Sequence, residues 1–244
     1  HMRPIPGLGG DSTIFGEMPD WNPAEMIGNT PRPLAFSLYR NLITDHIWAE
    51  SRASMGYRRI NQPLIVDFSG RPYVDVRLSL NSFLPSGIGQ KLADKLINHQ
   101  LVQLHTRRDL HDKIEFEIAL TCWDFSFMDS RGQLLEAGFN GAEIDELEAG
   151  LKKITRNALK SRSGMMATDL ASARRLLNGK TGKPAPSPLE RVQEILDSCR
   201  KIGTLPFARL ARHGFIGILF LRSLVNRGIF SPKDAEQFMR GIHT

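Results

Sequence analysis

Apolar residues recur at helical spacing along most of the chain. Within residues 34–55, for example, Leu34, Leu38 and Leu42 fall on one stripe, because positions three and four apart share a helix face. Capping residues followed by proline or an acidic side chain mark several helix starts. These patterns predict helices over residues 34–55, 88–104, 140–162, 167–177 and 204–226, with further helix starts at Ser187 and Ser231.

Two short segments, 63–67 and 72–78, are instead rich in Val, Ile, Tyr and Phe and alternate between apolar and polar residues. Ser69 and Gly70 lie between them, and such a pair of turn residues between two strand-like segments is typical of a β-hairpin. The pattern predicts a hairpin whose second strand extends to residue 78.

Residues 114–123 also alternate, so a strand there would place Glu115 and Glu117 on one face. A segment this short fits a helix equally well. The fold class predicted from all these elements is mainly α with a small β element (α+β), combining a helical bundle-like C-terminal part with a β-hairpin in the N-terminal half.

Composition shifts predict the domain organisation. A cloning remnant, His1 and Met2, precedes a Gly- and Pro-rich linker, and residues 178–186 have the composition of a second linker. The resulting prediction divides the chain into 1–20 (remnant and N-terminal linker), 21–177 (central domain), 178–186 (linker) and 187–244 (helical subdomain).

The composition is that of an ordinary globular protein, with 41% hydrophobic and 24% charged residues. Cys122 and Cys199 lack the spacing of a disulfide framework or zinc site, which favours a cytoplasmic location. The apolar run 215–221 is far shorter than the roughly 20 residues that span a bilayer, so no membrane partner is expected.

The net charge of +6 is distributed unevenly, since acidic residues dominate before residue 150 and basic residues after it. A basic half can bind nucleic acid, but the basic residues here are not interleaved with the aromatic residues that stack on bases. We therefore favour docking of the two halves on each other or on neighbouring domains.

The common catalytic motifs and phosphate-binding loops are missing from the sequence, so no catalytic residue is assigned. His99, His105 and His111 are spaced by six residues, which suits neither helix nor strand, and no metal ligand is assigned. Three groups of polar residues remain as candidates for binding. They are Asp20, Trp21, Asn22 and Glu25; Asp75, Arg77 and Asn81; and His111, Glu115 and Glu117.

Each group also has a purely structural interpretation. Asn22 and Glu25 can form a helix cap around Pro23, which leaves Asp20 and Trp21 unexplained. Asp75 and Arg77 can form a surface ion pair that contributes little to stability. The acidic positions after His111 can be a solvated face.

Several longer motifs resemble the central region of proteins similar to phosphoenolpyruvate (PEP) synthase, in particular the glutamine kinase type. The likeness covers nearly the whole chain and extends more loosely to rifampin phosphotransferase. The motifs are Met18-Pro-Asp-Trp-Asn-Pro-Ala-Glu-Met-Ile-Gly28, Gly56-Tyr-Arg58, Gly70-Arg-Pro-Tyr-Val-Asp-Val-Arg77, Asn81-Ser-Phe-Leu-Pro85, His111-Asp-Lys-Ile-Glu-Phe-Glu117 and Gly203 to Arg212.

This resemblance implies a segment that lies between an ATP-grasp domain and a swivelling phosphohistidine domain of the same polypeptide. The full-length enzyme would use ATP and Mg²⁺ to phosphorylate a small acceptor, and the segment would be inactive alone while contributing to acceptor binding. For an acceptor such as glutamine, Arg77 would hold the carboxylate and Glu115 or Glu117 the ammonium group. The motif residue Arg58 joins the candidate binding residues.

Two alternatives stay open at this stage. In the first, the segment is a non-catalytic scaffold that only spaces the flanking domains. In the second, which we rank last, the basic half is a nucleic-acid-binding module.

Overall fold

The structure, a computed structural model, describes residues 5–160, 164–177 and 187–242. Helices dominate it, and the small sheet has three antiparallel strands, so the predicted class of mainly α with a small β element is confirmed. The predicted linker 178–186 lies outside the described residues. No helix in the described ranges is long and apolar enough to cross a membrane.

The sheet contains the predicted hairpin. Strands β2 (Ile65–Phe68) and β3 (Arg71–Asp75) pair directly, and β1 (Phe15–Gly16) adds to the other edge of β3. The turn is tight because Ser69 and Gly70 both have positive φ angles of 55° and 84°. This conformation matches the twist of the flanking strands, and the Asp67 side chain supports it by accepting a hydrogen bond from the Gly70 N–H.

The second strand is shorter than predicted, because helix α4 (Val76–Asn81) begins directly after Asp75. The Asp75 carboxylate caps this helix by accepting a hydrogen bond from the Leu78 N–H at 3.2 Å. Val74, Val76 and Leu78 are all buried, and so is Arg77. The alternation that suggested a two-sided strand therefore runs through a segment that is buried on every side.

Residues 114–123, for which the sequence left a strand and a helix open, form no strand. Ile114–Ile118 is a π-helical turn, and Ile114 and Ile118 both point into the core. Glu115 is buried and Glu117 is exposed, so the two carboxylates do not share a face.

The predicted helix over 34–55 is interrupted. It consists of α2 (Pro33–Tyr39), a π-helical turn (Arg40–Thr44) and α3 (Ile47–Ser54), preceded by the short α1 (Pro23–Ile27). The other helices agree with the periodicity apart from α6, which was not predicted. They are α5 (Gln90–Thr106), α6 (Phe127–Glu136), α7 (Gly141–Ala158), α8 (Met165–Leu177), α9 (Pro188–Ser198), α10 (Leu205–Asn226) and α11 (Pro232–Arg240). A 3₁₀ turn (Arg108–Leu110) and a π-helical turn (Cys199–Thr204) complete the described elements.

Among the residues that the structure describes, three apolar clusters form the core. The largest surrounds α5 and α7, and a second joins α3 to the hairpin. The third joins the loop residues Tyr57 and Cys122 to Ile154 of α7 and Ile216 of α10. Helix α10 therefore packs on the N-terminal half and brings its side chains to the same region as the predicted site residues.

The segment that we assigned to an N-terminal linker is packed against the fold over part of its length. Leu8 is buried, and the Gly9 N–H donates a 2.7 Å hydrogen bond to the Asn81 side chain. A side chain at Gly9 would lie 2.7 Å from the backbone carbonyl of Ala93 in α5. Only a glycine fits this close approach of two backbones.

Candidate functional site

Asp20 forms a buried ion pair with Arg52 of α3. The Arg52 Nη1 atom lies 2.8 Å from Asp20 Oδ2, and Nη2 contacts Oδ1, so the pair is bidentate. The two side chains are only 5% and 10% exposed. Ser79 donates a further 2.6 Å hydrogen bond to Asp20, and Arg52 Nη1 also donates to Ser82 at 2.5 Å. Both side chains of this pair therefore have further hydrogen-bond partners, which fix their positions.

The backbone around Asp20 takes up an uncommon conformation to form this pair. Asp20 and Asn22 have positive φ angles of 60° and 39°, which costs energy in residues other than glycine. Asn22 also caps α1, because its side chain accepts from the Glu25 N–H at 3.0 Å and donates to the Glu25 carboxylate at 2.9 Å. In this turn Asn22 and Glu25 form the helix cap, and Asp20 is directed towards α3.

Arg212 of α10 brings a second buried cation to this region. Arg212 is 5% exposed. Its guanidinium carbon lies 5.0 Å from the centre of the Phe83 ring and 4.8 Å from the centre of the Phe215 ring. Burial lowers the pKa of Arg212, and Tyr57, Glu115 and Asp20 act in the opposite direction. Its Nη1 atom is buried and has no hydrogen-bond partner among the described residues, although the guanidinium lies close enough to the Tyr57 hydroxyl to act on the pKa of that group.

Glu115, in the π-helical turn, is the second buried carboxylate. The residue is 8% exposed, and its Oε2 atom is buried without a hydrogen-bond partner in the described part of the chain. Burial raises the pKa of Glu115 and the Asp20 carboxylate raises it further, whereas Arg212 and Arg52 lower it. We call Asp20, Arg52, Glu115 and Arg212 the charge cluster. Arg52 pairs with Asp20, both guanidinium groups lie over the Phe83 ring, and the charges of these three residues act on the pKa of Glu115.

Aromatic residues surround the charge cluster. The Phe83 ring lies 4.1 Å from the Arg52 guanidinium and 5.0 Å from that of Arg212, so it contacts both cations. Tyr57 packs on Phe83 edge to face, and its hydroxyl donates to the Thr121 carbonyl at 2.6 Å. Burial raises the pKa of Tyr57 to about 12, so the phenol stays neutral at physiological pH. Charges in such a dry setting interact more strongly than they do in water.

The remaining predicted residues of the hairpin and α4 make contacts within the fold. Asp75 accepts from Thr13 at 2.5 Å in addition to capping α4. Asn81 bonds the backbone N–H and C=O of Gly9. Arg77 is 0% exposed, and its backbone N–H donates to Thr13 at 3.2 Å. The interpretation of Asp75 and Arg77 as a surface ion pair is therefore wrong.

The other candidates lie at the periphery. Arg58 donates to backbone carbonyls of Ile88 and Gly7 and to Gln90, and burial lowers its pKa. The Trp21 carbonyl accepts from the Tyr39 hydroxyl at 2.8 Å. His111 and Glu117 are exposed. His111 contacts Arg108 and Met18, and Glu117 forms a 3.2 Å ion pair with Arg222.

The structure thus brings together two of the predicted residues, Asp20 and Glu115, and adds Arg52 and Arg212, which were not among the candidate binding residues. Arg52 and Arg212 are distant from Asp20 in the sequence, and local spacing could not connect them. One signal was available for Arg212, because an arginine within the apolar stretch of α10 is unusual unless it has buried partners.

Comparisons with models of known protein families, with curated proteins and with solved structures found no significant match. Among the residues that the structure describes, no group of three or more His, Cys, Asp or Glu side chains is arranged to hold a metal ion. The geometry of the charge cluster is therefore the basis for assigning a function. The two unpartnered atoms of the cluster, Glu115 Oε2 and Arg212 Nη1, belong to side chains of opposite charge. This arrangement suits a small molecule that carries both a carboxylate and an ammonium group.

Proposed function

We propose that this chain is the acceptor-binding segment of an ATP-dependent phosphotransferase similar to PEP synthase. The acceptor is a small amino acid or amide such as glutamine, and it binds at the charge cluster. The observation that carries this proposal is the presence of Glu115 Oε2 and Arg212 Nη1 as buried, unpartnered atoms of opposite charge. The resemblance of the long sequence motifs supports the phosphotransferase part.

Burial without a partner is costly for either group, since a lost hydrogen bond to a buried polar atom costs about 1–3 kcal/mol and more for a charged group. A zwitterion relieves both costs at once, because Arg212 can donate to its carboxylate and Glu115 can accept from its ammonium group. The satisfied Asp20–Arg52 pair then positions the site rather than binding the ligand. In this proposal Arg212 takes the carboxylate-binding role that we first assigned to Arg77.

A scaffold without a ligand of its own is the second candidate. It is favoured by the many polar residues that are used inside the fold, such as Asp75 and Asn81. The two candidates differ in one measurable property, which is the binding of a small molecule by the isolated chain.

Isothermal titration calorimetry with L-glutamine tests the proposal. We expect saturable binding by the unmodified chain, and no binding of N-acetyl-L-glutamine or L-glutamine α-amide, which lack the ammonium and the carboxylate respectively. Glu115→Gln and Arg212→Gln should each weaken binding by about 30-fold or more, since removing one partner of a buried charge-assisted bond costs about 2 kcal/mol or more.

Two matched controls are available on the same elements. Glu117→Gln and Arg222→Gln remove exposed charges from the π-helical turn and from α10, and they should leave the affinity for glutamine unchanged. Circular dichroism of each variant checks that the chain is folded. Absence of binding for glutamine and for a panel of other amino acids would contradict the proposal and favour the scaffold.

A further inference from the structure

A second potential site lies beside the π-helical turn Ile114–Ile118. A cleft of about 710 Å³ opens between residues 116–130, the C-terminal half of α10 and helix α11. Small-molecule sites in proteins commonly have volumes of about 300–1,000 Å³. The cleft is therefore large enough for an organic ligand, and it does not include the four residues of the charge cluster.

Most of the wall is apolar. Both α10 and α11 contribute aliphatic side chains, and the π-helical turn and the start of α6 each contribute an aromatic ring. The main apolar lining residues are Phe116, Leu120, Phe127, Leu219, Val225 and Met239. Contacts outside the lining fix the loop to α10. Arg227 donates to the Phe125 carbonyl at 2.8 Å and pairs with Asp129 at 2.9 Å. An apolar body can thus be buried against a surface that is already formed.

Three polar residues of the lining, Thr121, Asp124 and Ser126, lie on the loop before α6. Thr121 is 1% exposed, and its hydroxyl has no hydrogen-bond partner among the described residues. The Ser126 hydroxyl is also buried and unpartnered within the described ranges. Buried hydroxyls are normally hydrogen-bonded, so a donor group that reaches Thr121 and Ser126 from the cleft would satisfy both.

The charge of the lining selects the kind of ligand. Glu117, Asp124 and Glu236 line the cleft, with Arg222 as the basic residue in the same lining. Glu117 pairs with Arg222 at 3.2 Å, and Glu236 pairs with Arg240 at 2.5 Å. Asp124 is half-buried and has no ion-pair partner among the described residues, although its carboxylate accepts from the Ser126 N–H at 2.8 Å.

We propose that this cleft binds an organic amine, with its apolar body between α10 and α11 and its ammonium group at Asp124, Thr121 and Ser126. The ammonium group supplies the donors that the two hydroxyls and the carboxylate can accept. It also balances the negative charge of the lining. A carboxylic acid of the same shape would place a second negative charge beside Asp124 in an apolar setting, which is unfavourable.

The test uses three probes of matched chain length and different charge, which are 3-phenylpropylamine, 3-phenylpropanol and 3-phenylpropanoate. Binding to the full chain is followed by NMR chemical-shift changes. We expect the amine to bind at least about tenfold more tightly than the alcohol, and the acid to bind more weakly still. Shift changes should map to residues 116–130 and to α10 and α11.

Amino-acid substitutions test whether the amine binds in this cleft or elsewhere on the chain. Ala235→Trp fills the cleft from α11 and should abolish binding of the amine, whereas Ala142→Trp at an exposed position of α7 should not. Asp124→Asn and Thr121→Val should reduce the preference for the amine over the alcohol.

Equal affinity for all three probes would overturn the proposal, since it would show an apolar groove without recognition of the ammonium group. Undetectable binding of the amine, or amine binding that survives Ala235→Trp in a folded variant, would also overturn it. These outcomes are independent of glutamine binding, so failure of one proposal leaves the other intact.

Discussion

Glu115 illustrates how the charge cluster can exist inside the fold. Two carboxylates and two guanidinium groups are buried together, so the formal charge of the cluster is balanced when all four are ionised. Asp20 and Arg52 satisfy each other, whereas Glu115 has an oxygen without a partner in the described residues. The ionised form of Glu115 therefore bears a desolvation cost that its neighbours only partly offset.

This cost makes the stability of the protein depend on pH through Glu115. Its pKa in the folded chain is raised above the ordinary value of 4.5, first by burial. A raised folded-state pKa means that the folded chain binds the proton more tightly than the unfolded chain does. The stabilisation is fully present below about pH 4.5 and is lost as the pH rises through the raised pKa.

We therefore expect the free energy of unfolding of the unmodified chain to fall relative to that of Glu115→Gln as the pH is raised from 4 to 8. The relative loss is about 1.4 kcal/mol for each unit by which the pKa is raised. Urea denaturation at a series of pH values measures it, with Glu117→Gln as the control for an exposed carboxylate. Parallel pH profiles for the unmodified chain and Glu115→Gln would contradict the assignment of Glu115 as a buried acid.

Two of the four residues of the charge cluster, Asp20 and Glu115, were predicted from the sequence. Asp20 stood out because helix capping did not explain it, and Glu115 because it lay in a dense run of ionisable residues. Arg52 and Arg212 were not among the candidates, since their role depends on α3 and α10 both bringing an arginine to Phe83, which is a tertiary property. Arg77 looked like a ligand-binding residue and is instead entirely buried within the fold.

At the scale of elements, periodicity predicted most helices because each buries one apolar face. Periodicity gave a wrong prediction where a segment is buried on more than one side. The strand predicted to residue 78 ends at Asp75, since the carboxylate caps α4 and the following residues are buried on all sides. The break in the helix over 34–55 has no comparable signal, because a π-helical turn keeps apolar residues such as Ile43 facing the core.

Helix α7 provides a test of element packing at Gly150. A side chain there would meet Pro85 at 2.6 Å from its Cβ atom, so the helix lies directly against the loop after α4. Gly150→Ala should destabilise the chain by about 1–3 kcal/mol through overpacking, despite the better helix propensity of alanine. The matched control is Gly217→Ala in α10, where the space is open and a gain of up to about 1 kcal/mol is expected.

Urea denaturation at neutral pH compares the two variants under the same conditions. If Gly150→Ala were as stabilising as Gly217→Ala, α7 could not lie against Pro85 as described. The pair is informative because both glycines are within helices and undergo the same substitution, so they differ mainly in what surrounds them.

At the scale of the whole molecule, basic residues of the second half form ion pairs with acidic residues of the first half. Arg222 and Arg227 of the basic half pair with Glu117 and Asp129 of the acidic half, and Arg212 enters the charge cluster. The first two pairs are partly exposed and contribute little energy individually. They nevertheless favour docking of the two halves, which we preferred from the sequence, over a surface reserved for nucleic acid.

This docking bears on whether residues 187–244 form a separate subdomain, a prediction that stays open. Ile216 of α10 is 3% exposed and packs in one cluster with Tyr57, Cys122 and Ile154. An apolar cluster shared between the two parts couples their unfolding, so we expect a single cooperative transition. Tryptophan fluorescence reports on the N-terminal part, which contains Trp21, Trp48 and Trp123, whereas far-UV circular dichroism reports on all helices.

The two signals should give the same urea midpoint, and Ile216→Ala should lower both together by an amount equivalent to about 2–4 kcal/mol. The control is Leu189→Ala on α9, where the side chain is 69% exposed and its removal should have little effect.

The contrary result would be that Ile216→Ala shifts the circular dichroism midpoint and leaves the fluorescence midpoint unchanged. The C-terminal helices would then unfold independently, and Arg212 would be held in the charge cluster only while they stay docked. Because glutamine binding is proposed to require Arg212, the ligand should in that case stabilise the docked arrangement and bring the two midpoints back together.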